Sequence, residues 1–112
     1  MVTATYVPER GDLIWLNFTP QSGHEQAGKR PAIVMSPSRY NAKTGLCVVC
    51  PITSRVKNYP FEVKISGKEI SGVVLSDQVK SLDWKARKAK FAEKALESST
   101  GKVLQNIQLL IG

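Results

Sequence analysis

The amino-acid sequence predicts a small α+β fold dominated by strands: an antiparallel β-barrel that curls on itself and carries a C-terminal helix. Three observations lead there. Short apolar, β-branched runs recur along the 112 residues, separated by Gly, Pro and Asn turn signals. One of them, FEVKI, alternates strictly between apolar and polar positions. Beyond Ser98 the apolar period lengthens to helical spacing.

The elements follow in order. Gly11-Asp12 leads into LIWLNF, a short apolar strand that Thr19-Pro20 ends. The polar segment QSGHEQAGK, with two glycines, is the longest expected loop. PAIVMS reads as a second strand, turned by Ser36-Pro37-Ser38, and the residues from Asn41 to Gly45 read as the turn before the third strand, LCVVCPIT. After the polar loop SRVKNYP, FEVKI places Phe61, Val63 and Ile65 on one face and Glu62 and Lys64 on the other. GVVLSD is a further buried strand. DQVKSLD reads as a turn, and ARKAKFAEK as a strand. Ser98, Ser99 and Thr100 offer N-caps to a helix whose Val103, Leu104, Ile107, Leu110 and Ile111 share one face.

Cys47 and Cys50 spell CVVC, a spacing that invites a redox or metal reading. Their β-branched surroundings argue otherwise. On a strand, residues three apart point to opposite faces, and their Cα atoms lie ~10 Å apart, beyond the ~7 Å limit of a disulfide. Two buried thiols are expected. The single histidine, His24, adds no metal set.

A chain of this length fits one domain, residues 1–112. No apolar run approaches the ~20 residues needed to cross a bilayer, and MVTATYVPERGD lacks the pattern of a secretory signal. Cytoplasmic location is the default expectation. Charge supplies the first functional clue. Sixteen Lys and Arg against nine Asp and Glu give a formal net charge of +7 and a pI near 9.7. Such a balance draws polyanions, nucleic acid above all. The excess is local in sequence: Lys80, Lys85, Arg87, Lys88, Lys90 and Lys94 meet only Asp83 and Glu93 over residues 80–94.

One segment concentrates chemistry. HEQAGKRP sets acid, amide and base beside glycine and then runs into a strand. Arg30 offers five donors in a planar fork suited to phosphate oxygens. Pro31 biases it towards extended backbone, which aims the side chain. Thr53 closes an apolar strand with a hydroxyl at the edge of a polar loop, and Glu25 is a carboxylate within reach of the same region. Taken alone, a strand-start arginine and a strand-end threonine are ordinarily structural, and a loop acid is as often structural as functional.

The pieces RGDLIWLNF, SGHEQAGKRPAIVMSP, YNAKTGLCVVCPITS, YPFEVKISG and GVVLSDQVKSLDWKAR, with the closing helix, resemble in order the MazF/PemK type of toxin endoribonuclease. The likeness spans nearly the whole chain and is most specific at E-Q-x-G-x-R-P, P-I-T-S and D-Q-V-K-S-x-D; it looks closest to the enterobacterial MazF branch. The resemblance implies an SH3-like barrel of the kind shared with CcdB-like toxins, a symmetric homodimer, cleavage of single-stranded RNA without a metal cofactor, and neutralisation by an acidic antitoxin of MazE type. An ACA triplet is the cleavage motif it suggests.

By that resemblance Arg30 and Thr53 are catalytic and Glu25 is the general base or its electrostatic partner. Lys29 stands where some relatives have histidine, and Leu75 where PemK-type relatives have arginine. Asp77 and Gln78 therefore read as groups that pair with unstacked base edges. Gln26, Lys29, Ser54, Lys57 and Lys80 complete the expected RNA-contacting set. Two other classes compete: a toxin of the same barrel that acts on a protein such as DNA gyrase, and a non-catalytic RNA-binding barrel.

Overall fold

The computed structural model describes residues 6–18 and 28–112. Seven strands and two helices follow one another: β1 (Asp12–Phe18), β2 (Gly28–Val34), α1 (Ser38–Thr44), β3 (Leu46–Thr53), β4 (Glu62–Ser66), β5 (Ser71–Leu75), β6 (Lys80–Asp83), β7 (Lys90–Lys94) and α2 (Glu97–Ile111). All strand pairings are antiparallel, in the order β4-β5-β3-β2-β1-β7, with β6 also against β3. The mainly β fold with its C-terminal helix is the class the sequence predicts.

β3 is the hinge of the sheet. Residues Leu46 to Val49 pair with β6, whereas Ile52 and Thr53 pair with β5. The sheet therefore curls round β3, and both of its faces become buried. One face gathers Leu13, Ile33, Met35, Cys50, Ile52, Val63, Ile65, Val74 and, from α2, Val103. The other gathers Ile14, Leu16, Ala32, Val34, Cys47, Val49, Leu82 and Trp84. Two-sided burial is why LIWL, AIV and CVV are continuous apolar runs, while half-covered FEVKI alternates. The two thiols fall in opposite clusters, free and buried, and burial pushes both up to about 12.

Five sequence expectations need correction, the shortest being that only Lys90–Lys94 of ARKAKFAEK forms a strand, after a turn. The expected turn at residues 41–45 is the second half of α1, ended by Gly45 in the left-handed region at φ 74°. Asn41 is the reason. Its fully buried amide takes the Ser36 hydroxyl at 2.6 Å and donates to the Pro8 and Ser36 carbonyls at 2.8 and 3.0 Å, and its carbonyl accepts from Trp84 Nε1 at 2.9 Å. β2 begins at Gly28, three residues before PAIVMS, so Arg30 lies inside the strand. The DQVKSLD turn gives way to β6 at Lys80, a strand with Leu82 alone turned inward. α2 starts at Glu97, with Leu96 as an N-cap that makes no side-chain cap bond. The Thr100 hydroxyl donates instead to the Leu96 carbonyl at 3.3 Å, because it already lies inside the helix.

The basic residues of 80–94 are divided among β6, which pairs with β3, the turn after it, and β7, which pairs with β1. Lys94 reaches back to the buried Asp12 at 2.7 Å and to Glu9 at 3.4 Å. Lys85 lies over the Trp84 ring, 5.5 Å from its centroid. Arg87 donates to the Asn17 carbonyl at 3.3 Å.

Candidate functional site

Strand alternation builds the site. On β2, Arg30, Ala32 and Val34 share a face; on β3, Cys47, Val49, Pro51 and Thr53 do. The β2–β3 register sets Ala32 opposite Pro51, and the β1–β2 register sets Arg30 opposite Leu16. The inner ends of this face form the second apolar cluster. Its outer end opens into a groove of about 590 Å³, floored by Leu16, Ala32, Val49 and Leu82. Lys29, Arg30, Thr53, Gln78 and Lys80 line it above that floor.

Its electrostatics follow from that composition. Three cations face the groove, and among the described residues no carboxylate lines it. Arg30, Lys29 and Lys80 bring their positive charge to its wall. The Thr53 hydroxyl accepts from the Arg55 amide at 3.1 Å, which fixes the oxygen while leaving its hydrogen to be donated elsewhere. Lys29 also lines a neighbouring recess with Trp15, Glu69, Lys90 and Phe91, where a carboxylate offsets part of the positive charge. Cations over an apolar floor suit a phosphodiester with unstacked bases.

Of the residues the sequence nominates, Arg30, Thr53, Lys29, Gln78 and Lys80 converge on this groove. Lys57 lies in an adjoining recess that shares Thr53, Leu75 and Gln78 with it. Asp77 is exposed and lines neither; its carboxylate accepts from the Tyr59 hydroxyl at 2.7 Å. Ser54 is exposed and also lines neither. Glu25 and Gln26, like His24, lie outside the described residues. Sequence reasoning passed over Arg55, and it read Tyr59 as the end of the polar loop SRVKNYP, with no place in the site.

Among the described residues no group of three or more His, Cys, Asp or Glu side chains is placed to hold a metal ion. No helix among them is long and apolar enough to cross a membrane.

A curled antiparallel sheet with a closing helix and a cationic groove at the β2–β3 edge defines a class that comparison with known proteins makes specific. A family model described as PemK-like, MazF-like toxin of type II toxin-antitoxin system matches residues 9–111, and the chain belongs to this family, among its MazF-type endoribonuclease toxins. It is 49% identical over 111 residues to the endoribonuclease toxin MazF of Escherichia coli K12, covering 99% of this chain and 100% of that one. To the endoribonuclease PemK of Escherichia coli it is 35% identical over 108 residues, covering 92% and 81% of the two chains. In three dimensions it is similar to a chain in a crystal structure of MazE-MazF from Deinococcus radiodurans, with a TM-score of 0.92, 50% identity and coverage of 96% and 98%.

Proposed function

We propose that this chain, as a single domain spanning residues 1–112, cuts single-stranded RNA at a short motif without a metal cofactor, so acting as the growth-inhibiting toxin of a toxin–antitoxin pair. The observation that carries this reading is the convergence of Arg30 and Thr53 on one groove that also holds Lys29, Gln78 and Lys80. RNA brings its own nucleophile. The 2′-oxygen attacks the adjacent phosphorus, the bond from phosphorus to the 5′-oxygen breaks, and the products are a 2′,3′-cyclic phosphate and a 5′-hydroxyl end. A base must take the 2′-OH proton, an acid must supply one to the leaving 5′-oxygen, and charge on the phosphorane must be met by donors.

Arg30 meets that charge, its fork matching two equatorial oxygens. Thr53 donates its hydroxyl hydrogen to the phosphate or holds the 2′-OH. Glu25 is the base or its electrostatic partner. Lys29 and Lys80 draw in the flanking phosphates, while Gln78 and Asp77 pair with base edges; Gln26, Ser54 and Lys57 make further RNA contacts. The motif is ACA, by the likeness to the enterobacterial MazF branch.

The working unit is a homodimer in the cytoplasm. Leu109 and Ile111, 73% and 80% exposed at the end of α2, are apolar surface that a second copy would cover. The restraining partner is an acidic, MazE-type antitoxin whose tail occupies the cationic groove; the similar Deinococcus radiodurans structures are of MazE-MazF. Incubating the purified protein with a long single-stranded RNA and a chelator tests the function. Discrete cuts ending in cyclic phosphate are expected. Binding without cuts would make the protein an RNA-binding barrel, and neither binding nor cutting would point to a protein target.

A further inference from the structure

Beside the groove lies a smaller recess of about 150 Å³, lined by Thr53, Arg55, Lys57, Tyr59, Leu75 and Gln78. It shares Thr53 and Gln78 with the groove. It therefore touches both the residue assigned to the scissile phosphate and a residue assigned to base reading. Two cations line it, and among the described residues no carboxylate does.

The loop that brings Tyr59 there is built. The amides of Lys57 and Asn58 donate to the two carboxylate oxygens of Glu62 at 2.8 and 2.9 Å. Asn58 takes a left-handed φ of 60°, which asparagine tolerates better than most residues. The Tyr59 carbonyl accepts from the Glu62 amide at 3.1 Å, and the Tyr59 hydroxyl donates to Asp77 Oδ1 at 2.7 Å. A half-buried aromatic ring is thus held at both backbone and hydroxyl before any ligand arrives. Such a ring gives up little conformational freedom on binding.

We propose that this recess is a nucleobase subsite for the nucleotide next to the scissile phosphate, with Tyr59 as the platform on which the base stacks and Arg55 and Lys57 as the cations that take its phosphate. The subsite rests on the endoribonuclease reading of the groove. It makes Tyr59 a specificity-determining residue through the face of its ring, with the Tyr59–Asp77 bond a secondary restraint. Gln78, on the shared wall, reads the edge of the stacked base.

The test uses the full-length protein and oligoribonucleotides that contain its mapped cleavage site, each with one nucleotide made abasic in turn. Wild-type protein should lose on the order of ten- to a hundredfold in KM when one nucleotide beside the cleaved bond lacks its base, the size of one lost stacking contact. Tyr59→Ala should show the same loss on intact RNA, with kcat little changed and no further loss on the abasic strand. Tyr59→Phe should keep most of the discrimination. The subsite is refuted by a Tyr59→Ala protein that discriminates as wild type does. Equal losses in Tyr59→Phe and Tyr59→Ala refute it too, because Tyr59 would then only anchor its loop. A measurement free of variants uses wild-type protein and an uncleavable RNA with a 2′-deoxy sugar at the cut, carrying 2-aminopurine at each position. Fluorescence should be quenched at the stacked position and not elsewhere, and uniform fluorescence would overturn the assignment. A wild-type protein that cuts no RNA would instead bring down the proposed function itself.

Discussion

Gly72 tests the placement of Thr53 without touching any group that meets RNA. It sits in β5 at φ +142°, and a Cβ built on it would lie 2.4 Å from the Thr53 carbonyl oxygen and 3.0 Å from the carbonyl carbon. Real Cβ atoms essentially never approach closer than 3.0 Å, so Gly72→Ala must part the two backbones by about 0.6 Å. The moving atoms are backbone, and Thr53 pairs with Val73 in the same ladder, so the shift is delivered to the site. A left-handed φ on alanine costs about 1–3 kcal/mol, which for a domain of this size lowers Tm by roughly 5–10 °C. Catalytic geometry is steeper: a 1 Å misplacement costs about 10²-fold, so a shift of this size should cost about tenfold in kcat. Initial rates on a labelled RNA, taken well below the melting transition with circular dichroism to confirm the fold, read the effect. A folded Gly72→Ala protein that cuts at the wild-type rate would show that no step depends on where Thr53 sits.

Other expectations are simpler. Arg30→Ala should keep its fold and lose about 10²–10³ in rate, the usual cost of removing one transition-state donor; near-wild-type cutting would end its assignment. Thr53→Ala should lose less, since water can replace a hydroxyl. Glu93 accepts from the amides of Ile70, Glu69 and Lys68 at 2.9, 2.7 and 3.1 Å, which holds its carboxyl below the ordinary 4.5. A lowered folded value means that the stability it contributes is present above pH 4.5 and is lost as pH falls through that lower value. Glu93→Gln should therefore flatten the acid limb of a Tm-against-pH profile, and an unchanged limb would count against it. Gly101 lies inside α2 with nothing within 4 Å of a built Cβ, so Gly101→Ala should raise stability by about 1 kcal/mol and leave cleavage unchanged. A lower Tm would refute the open-space argument.

Much of the fold was legible because two-sided burial leaves a mark on sequence. β3 was read to the residue from LCVVCPIT, and the opposite orientation of its thiols followed from period two. What escaped carries little apolar signal. β6 is KSLD, with Leu82 as its one buried residue. α1 is polar, and it is fixed by the hydrogen bonds of Asn41 rather than by an apolar face.

The same division holds for the site. Arg30, Thr53, Gln78 and Lys80 could be nominated because the likeness to the MazF/PemK type sets its site residues on them; taken alone, Arg30 and Thr53 read as structural. That they face one groove could not, since their distances are set by the β2–β3, β3–β5 and β3–β6 registers. The cluster of bases at residues 80–94 shows the opposite case: neighbours in sequence, they are parted by a strand, a turn and a second strand, and Lys94 is taken up by Asp12. Tyr59 meets Asp77 across eighteen positions of chain. The sequence by itself determined the class of fold, the strand faces and the residue types able to handle a phosphodiester, because those depend on local period and side-chain chemistry. Which of these residues share a cavity was decided by the curl of the sheet about β3, because a contact between distant residues exists only once the strands between them have paired.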